Sequence, residues 1–301
     1  MAAADPRTAF EAYISVRHRL PQAGFGSTWQ TASTLETITA PYDLILFDAY
    51  GVLNVGETPI PGARERIAAL REAGKTVMVV SNSAGYPKAR MMERYARLGF
   101  DFAPCEVITS REALLAHLGG AARRRWGMML HPASGNCDLE GIEARFLADD
   151  RAIYDAVEGF LLIGSDGWTE ARQAMLEASL RAHPRPVLVG NPDIVAPREG
   201  GLSREPGHFA HRLADETGVE VRFFGKPFRE IYDAALSRHR PPPAPERVLM
   251  VGDTLHTDVL GGRQMGFATA LVMDYGLLAG LDAGEAIHRS GILPDYVINR
   301  I

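Results

Sequence analysis

Four places in this 301-residue chain set a reactive or charged side chain directly after an apolar run: Asp48 in FDAYG, Ser81 with Asn82 in VVSNSAG, Lys226 in FFGKPF, and Asp253 with Asp258 in VGDTLHTDVLGG. A carboxylate such as Asp48 can attack phosphorus and form an aspartyl-phosphate, dividing one difficult displacement into two easier ones. Several acids gathered around a phosphate repel one another unless a hard cation lies among them, and Mg²⁺ held by one or two carboxylates is the usual solution. On this chemistry Ser81 and the Asn82 backbone hold a phosphoryl oxygen, and Lys226 neutralises charge on nucleophile and phosphate as a compact cation. Taken singly, each residue has a plainer reading: Ser81 or Asp258 as the cap of a following helix, Lys226 as a solvated surface charge. The set in this order, at strand ends, is harder to explain that way.

The elements that must position these residues follow from hydrophobic period. Short apolar runs alternate with amphipathic segments of helical length, the pattern of an α/β fold with a parallel sheet covered by helices. Strands are expected at DLILF before Asp48, TVMVV before Ser81, CEVI near 105–108, RVLMV before Gly252 and TALVM near 269–273. Helices are expected at PGARERIAALREAG and PKARMMERYARLG, each opened by a proline and closed by a glycine. From about 119 to 221 the chain forms its own set of strands (GMML, GFLLIG, PVLVG) and helices (TEARQAMLEASLRAH, HFAHRLADETG) before the outer pattern resumes. This reads as an inserted α/β domain. Residues 1–40 have weak helical character and read as an extension packed on the core.

Composition sets the outer limits. A formal net charge of −5 supplies no basic field for gripping a phosphate backbone, so nucleic acid is not an expected partner. Of the 32 basic residues only Lys75, Lys88 and Lys226 are lysines, which singles out a lysine at a strand end. Cys105 and Cys137 fit no disulfide or metal spacing and read as core or incidental positions. No apolar run approaches the roughly 18 residues of a membrane span, and the first ten residues lack the apolar core of a secretion signal, so a cytoplasmic protein without membrane contact is expected. His256, between the last pair of acids, reads as a surface residue, and Trp126 and Trp168 as core of the inserted domain.

In these motifs the sequence resembles the haloacid dehalogenase superfamily of aspartate-nucleophile phosphohydrolases: Asp48 stands for the first motif, Ser81 for the second, Lys226 for the third, and Asp253 with Asp258 for the fourth. GETPIPGA, GNPD at 190–193, PG at 206–207 and GKP at 225–227 are similar to the class II A branch, the p-nitrophenyl-phosphatase and NagD-like hydrolases, in which a cap is inserted between the second and third motifs. The resemblance implies a Rossmann-like core over 41–118 and 222–301 and an α/β cap over 119–221. It implies Mg²⁺ held by Asp48, Asp253 and the backbone carbonyl of Tyr50, with Asp258 as a further ligand, directly or through water. Asp48, Tyr50, Ser81 and Lys226 would be catalytic, and Ser81, Asn82, Gly51, Asn191, Asp193 and Lys226 would bind a small phosphorylated metabolite. Asn191-Pro-Asp193 is also ordinary turn chemistry. Caps of this branch often mediate dimers, so a homodimer is a further expectation.

One residue departs from the phosphatase pattern. The residue two past the nucleophile is ordinarily a second aspartate that protonates the leaving group, and here it is Tyr50. A tyrosine is a weak general base near neutral pH, and misplaced acid–base catalysis costs on the order of 10²–10⁴-fold in rate. An aspartate-x-tyrosine pair also occurs in the dehalogenases of this superfamily, which displace halide and need no proton donor. The open readings are a phosphatase of reduced activity, a protein that binds a phosphorylated ligand without turnover, and a carbon–halogen hydrolase. The insertion site and the retained acid pair weigh against the last, and the four retained motifs favour the first.

Overall fold

The run Leu44–Phe47 is buried along its whole length, as are Val77–Ser81 and Val248–Gly252. Strands apolar on both faces need covering on both, which a parallel sheet between helical layers provides. The computed structural model describes residues 5–119, 123–139, 141–239 and 241–301. In it these strands form a seven-stranded parallel sheet in the order Gln30–Thr31, Tyr296–Ile298, Ala268–Val272, Val248–Gly252, Leu44–Phe47, Thr76–Ser81, Val107–Thr109. Phe47 lies opposite both Val251 and Val79, so the carboxyl ends of the three central strands finish side by side. That register brings Asp48, Ser81 and Asp253 to one edge, where doubly wound sheets bind ligands.

A second parallel sheet, of five strands, runs in the order Val221–Phe223, Val187–Val189, Gly159–Leu162, Trp126–Met129, Ala144–Phe146. Helices Glu170–Ala182 and Pro206–Thr217 pack Leu176, Leu180, Phe209 and Leu213 into one cluster with Phe160 and Val189 of that sheet. Trp168 is buried in the same cluster, and Trp126 is buried in another, with Leu161 and Leu188. In sequence, an antiparallel hairpin, Val195–Arg198 with Gly201–Arg204, lies between the Val187–Val189 and Val221–Phe223 strands of this sheet.

Helix Pro6–Ser15 starts on an Asp5 cap, whose side chain accepts from Thr8 N at 3.0 Å, with Pro6 in the first turn. Its Phe10 and Tyr13 join Ile194, Leu255 and Val259 in a buried cluster. This packing corrects the reading of His256: it is fully buried, stacked on Tyr13 at 5.3 Å with Phe10 at its edge, because a helix from outside the motif covers it. Cys105 and Cys137 are likewise not core residues, as both are exposed. The strand expected near 105–108 begins at Val107, since Pro104–Glu106 forms a 3₁₀ turn. No helix among the described residues is long and apolar enough to cross a membrane.

Candidate active site

Asp48 follows the central strand Leu44–Phe47 and is pinned by one oxygen: Oδ1 accepts from Ala49 N at 2.7 Å and lies 2.6 Å from Lys226 Nζ. Oδ2 carries no hydrogen bond among the described residues. Asp253, at the end of the neighbouring strand, has both oxygens engaged, Oδ1 by Thr254 Oγ1 at 2.9 Å and Oδ2 by Leu277 N at 2.8 Å. Asp258 lies on a widened turn, Leu255–Val259. Its Oδ2 accepts from Thr254 N at 3.1 Å, while Oδ1 has no aligned hydrogen bond and is held only by charge, 2.7 Å from Lys226 Nζ. The lysine is 1% exposed and spans the two acids.

Close approach here depends on missing side chains. Gly51 has φ +82°, and a Cβ on it would stand 2.5 Å from Asp253 Oδ2. The residue expected to contact substrate therefore serves first to let the loop after Asp48 close on Asp253. Gly252 makes the corresponding room for the Asp258 carboxylate, 2.1 Å from where its Cβ would be. Gly51→Ala is expected to lower kcat by tens of fold, since displacements near 1 Å in an active site cost about 10²-fold. Activity equal to wild type would show that the loop absorbs the methyl group.

The cluster is short of positive charge. Asp48, Asp253 and Asp258 each offer an oxygen, all within 4.8 Å of one another. Three carboxylates against one ammonium leave a surplus of two negative charges. Burial, then the neighbouring carboxylates Asp48 and Asp258, push Asp253 up to about 8. Asp48 is also raised, by burial first, with Lys226 pulling the other way. Burial opposes the charge on Lys226, but Asp258 and Asp48 outweigh it and keep it protonated. An all-oxygen donor set with this deficit fits a hard divalent cation such as Mg²⁺.

On the substrate side the expected residues divide. Ser81 lines the cavity, and its Oγ accepts from Ser83 N at 3.2 Å, leaving its proton to donate. The Asn82 side chain is wholly spent as a brace: Nδ2 donates to Asp193 Oδ1 (2.8 Å) and Lys226 O (2.9 Å), and Oδ1 accepts from Lys226 N (2.6 Å). Any contact of Asn82 with a ligand falls to its backbone. Asp193 is brought to the cluster, its carboxyl well above the usual range because of burial, with Lys226 opposing. Asn191 instead folds its Oδ1 onto Asp193 N and sends Nδ2 to Glu205, the turn chemistry its sequence also allowed.

These groups open into a cavity of about 680 Å³. Its walls include Trp168 and Asp166 from the second sheet's loops and Arg198 and Glu205 from the hairpin region. The hairpin is latched to the turn after Asp48: Gly56 N donates to Pro197 O at 3.2 Å and Glu57 N to Glu199 Oε1 at 2.5 Å. Tyr50 is partly buried and lies between Arg94 and Arg198, whose guanidinium carbons are 4.8 and 4.5 Å from its ring centroid. Neither arginine was singled out in the sequence, where 29 arginines carry no periodic signal. The Pro-Arg-Glu-Gly turn was the one available sign of a hairpin tip.

Residues 45–134 match the family model for haloacid dehalogenase-like hydrolases, and residues 223–301 match a second, HAD-hydrolase-like model. The chain is 31% identical over 292 residues to glycerol-3-phosphate phosphatase of Gallus gallus, covering 89% of this chain and 92% of that protein. Among solved structures, a possible sugar phosphatase of the HAD superfamily from Cytophaga hutchinsonii superposes with a TM-score of 0.78 at 24% identity, over 91% of this chain and 98% of that one, a likeness of fold. A glycerol phosphate phosphatase from Mycobacterium tuberculosis, solved in complex with magnesium, is 25% identical with a TM-score of 0.63, over 79% of this chain and 70% of that one.

Proposed function

Since the chain belongs to the haloacid dehalogenase-like hydrolases of the class II A, NagD-like type and is a phosphoric monoester hydrolase, we propose that it is Mg²⁺-dependent and acts on a small phosphorylated metabolite through Asp48. The observation that carries this reading is the trio of carboxylates within 4.8 Å, two of which, Asp48 and Asp258, share the buried Lys226. Asp48, Asp253, Asp258 and the Tyr50 carbonyl would hold the ion. Once bound, it supplies charge neutralisation at the phosphoryl oxygens.

The chain's own residues do the rest. Asp48 Oδ2, the oxygen without a hydrogen bond, attacks phosphorus, and water later cleaves the aspartyl-phosphate. Lys226, fixed between Asp48 and Asp258, offsets charge on the nucleophile and the transferring group. Ser81 donates to a phosphoryl oxygen, and Asp193, braced by Asn82, borders the same space. The segment 119–221 is proposed to act as a cap over a core of 41–118 and 222–301, excluding water on closure. Without a cation among them the crowded acids would repel an anionic 2-haloacid, so the acid trio is of no use to a metal-free halide displacement.

The test is hydrolysis of a phosphate-ester panel that includes glycerol phosphate, with and without chelator. Turnover that vanishes with chelator and returns with Mg²⁺ supports the reading. Halide release from a 2-haloacid in the presence of chelator, with no ester cleaved, would sink it.

A pH dependence follows. Asp253 is raised in the fold from its ordinary value near 3.8 to about 8, so the folded state holds a proton that the unfolded chain has released. The stability this confers on metal-free protein is present below about pH 4 and is lost as pH rises through 8. Mg²⁺ needs the ionised carboxylates and removes the repulsion, so its effect grows with pH. The rise in Tm on adding millimolar Mg²⁺ is expected to be larger at pH 8 than at pH 6. Equal shifts at both would show that the ion does not bind at this cluster.

A further inference from the structure

With Tyr50 where an acid is ordinarily found, the departing oxygen needs another source of stabilisation. In-line displacement puts that oxygen on the far side of phosphorus from Asp48, toward the wall facing the strand ends. The hairpin forms part of this wall, and Arg198 lies there in the same cavity as Asp48 and Tyr50. Its Nε donates to Ser203 Oγ at 3.0 Å and its Nη2 to Glu205 Oε1 at 2.9 Å, neither of which takes Nη1, and the guanidinium also lies within hydrogen-bonding reach of the Tyr50 side chain. Glu205 is itself fixed by Ser203 Oγ at 2.6 Å and Asn191 Nδ2 at 3.2 Å. Burial opposes the charge on Arg198, but Tyr50 and Glu205 outweigh it. The Tyr50 ring is clamped from its other neighbour, Arg94, which is 2% exposed and anchored to Glu57 Oε1 at 2.7 Å and to Gly56 O.

We propose that Arg198 is a catalytic residue, its guanidinium laid on the Tyr50 ring so as to hydrogen-bond and neutralise the ester oxygen as the phosphorus–oxygen bond breaks. The inference rests on the phosphatase reading above. As the Asp48–phosphorus bond forms, the electron pair of the broken bond passes to the ester oxygen, which Arg198 stabilises as an oxyanion. Water then protonates that oxyanion, and the resulting hydroxide attacks the aspartyl-phosphate, releasing phosphate and restoring Asp48. A fixed charge thus does what a proton transfer does elsewhere, and Tyr50 is the platform that positions it.

The test compares an alkyl ester, glycerol phosphate, with p-nitrophenyl phosphate, whose leaving group is already a stable anion. Arg198→Gln is expected to lower kcat on the alkyl ester by about 10²–10³-fold. It should lower kcat on the aryl ester by a few-fold only, with little change in KM. Arg198→Lys should recover part of the alkyl-ester rate. Tyr50→Phe, which keeps the ring, should lose less than Arg198→Gln, whereas Tyr50→Leu should lose as much. Equal losses on both esters, an effect confined to KM, or a Tyr50→Phe loss exceeding that of Arg198→Gln would each overturn the proposal. Glutamine keeps a donor for Ser203 Oγ in the place of Nε, and Tm measured on each variant separates a folding defect from a chemical one. Wild-type protein that cleaves neither ester would overturn the phosphatase reading and this inference together, while an active wild type lacking the Arg198 pattern overturns this inference alone.

Discussion

Asp48→Asn is expected to lower kcat by on the order of 10⁴–10⁶-fold while leaving the fold intact, since loss of a covalent nucleophile removes the pathway rather than weakening it. The amide oxygen can take the place of Oδ1, accepting from Ala49 N and Lys226, and Lys226 keeps Asp258 as a partner at 2.7 Å. One negative charge leaves a cluster that has too many, so the metal-free variant should melt no lower than wild type. Rapid-quench experiments with labelled ester should find no phosphorylated protein. Residual turnover within tenfold of wild type would assign the attack to another group.

Lys226→Met tests the other half of the electrostatics and is expected to damage stability as well as rate. Among the described residues the lysine is the sole cation between Asp48 and Asp258, at 2.6 and 2.7 Å, and it is buried. Removing one member of a buried ion pair costs about 3–5 kcal/mol, because the remaining charges keep their desolvation penalty without compensation. Loss of a cationic stabiliser of the transferring group adds about 10²–10³-fold in kcat. Denaturant unfolding should show the stability loss in chelator and a smaller one in Mg²⁺, since the ion supplies positive charge to the same carboxylates. A variant as stable as wild type in chelator would mean that the acids there are already protonated and that the lysine carries little of the load.

The positions at the strand ends were legible because a parallel sheet converts a local pattern into a place. Asp48, Ser81 and Asp253 each end an apolar run, and the sheet register sets those ends side by side without further information. Lys226 and Asp258 could be named from the same pattern, but their joint contact depends on the turn Leu255–Val259 winding wide, which no period announces. Asn82 and Asn191 were named for the right neighbourhood, yet their side chains are spent on Asp193, Lys226 and Glu205. His256 was misread because a surface reading of one histidine takes no account of a distant helix, and Tyr13 stacks on it from outside the motif. Arg94 and Arg198 were invisible for the same reason: their significance lies in a shared ring, contributed by Tyr50.

The central sheet also has a consequence for biosynthesis. The nucleophile's strand, Leu44–Phe47, takes one neighbour from Thr76–Ser81 and the other from Val248–Gly252. A ribosome makes the first pairing available early, but one flank of the Asp48 strand stays open until most of the polypeptide has emerged, with the whole five-stranded sheet made in the interval. Unpaired strand edges of this kind are where growing chains go astray, so chaperone protection matters most during that wait. It also means that a nascent chain carries Asp48 long before Lys226, Asp253 and Asp258, and reactivity arrives only with the finished molecule.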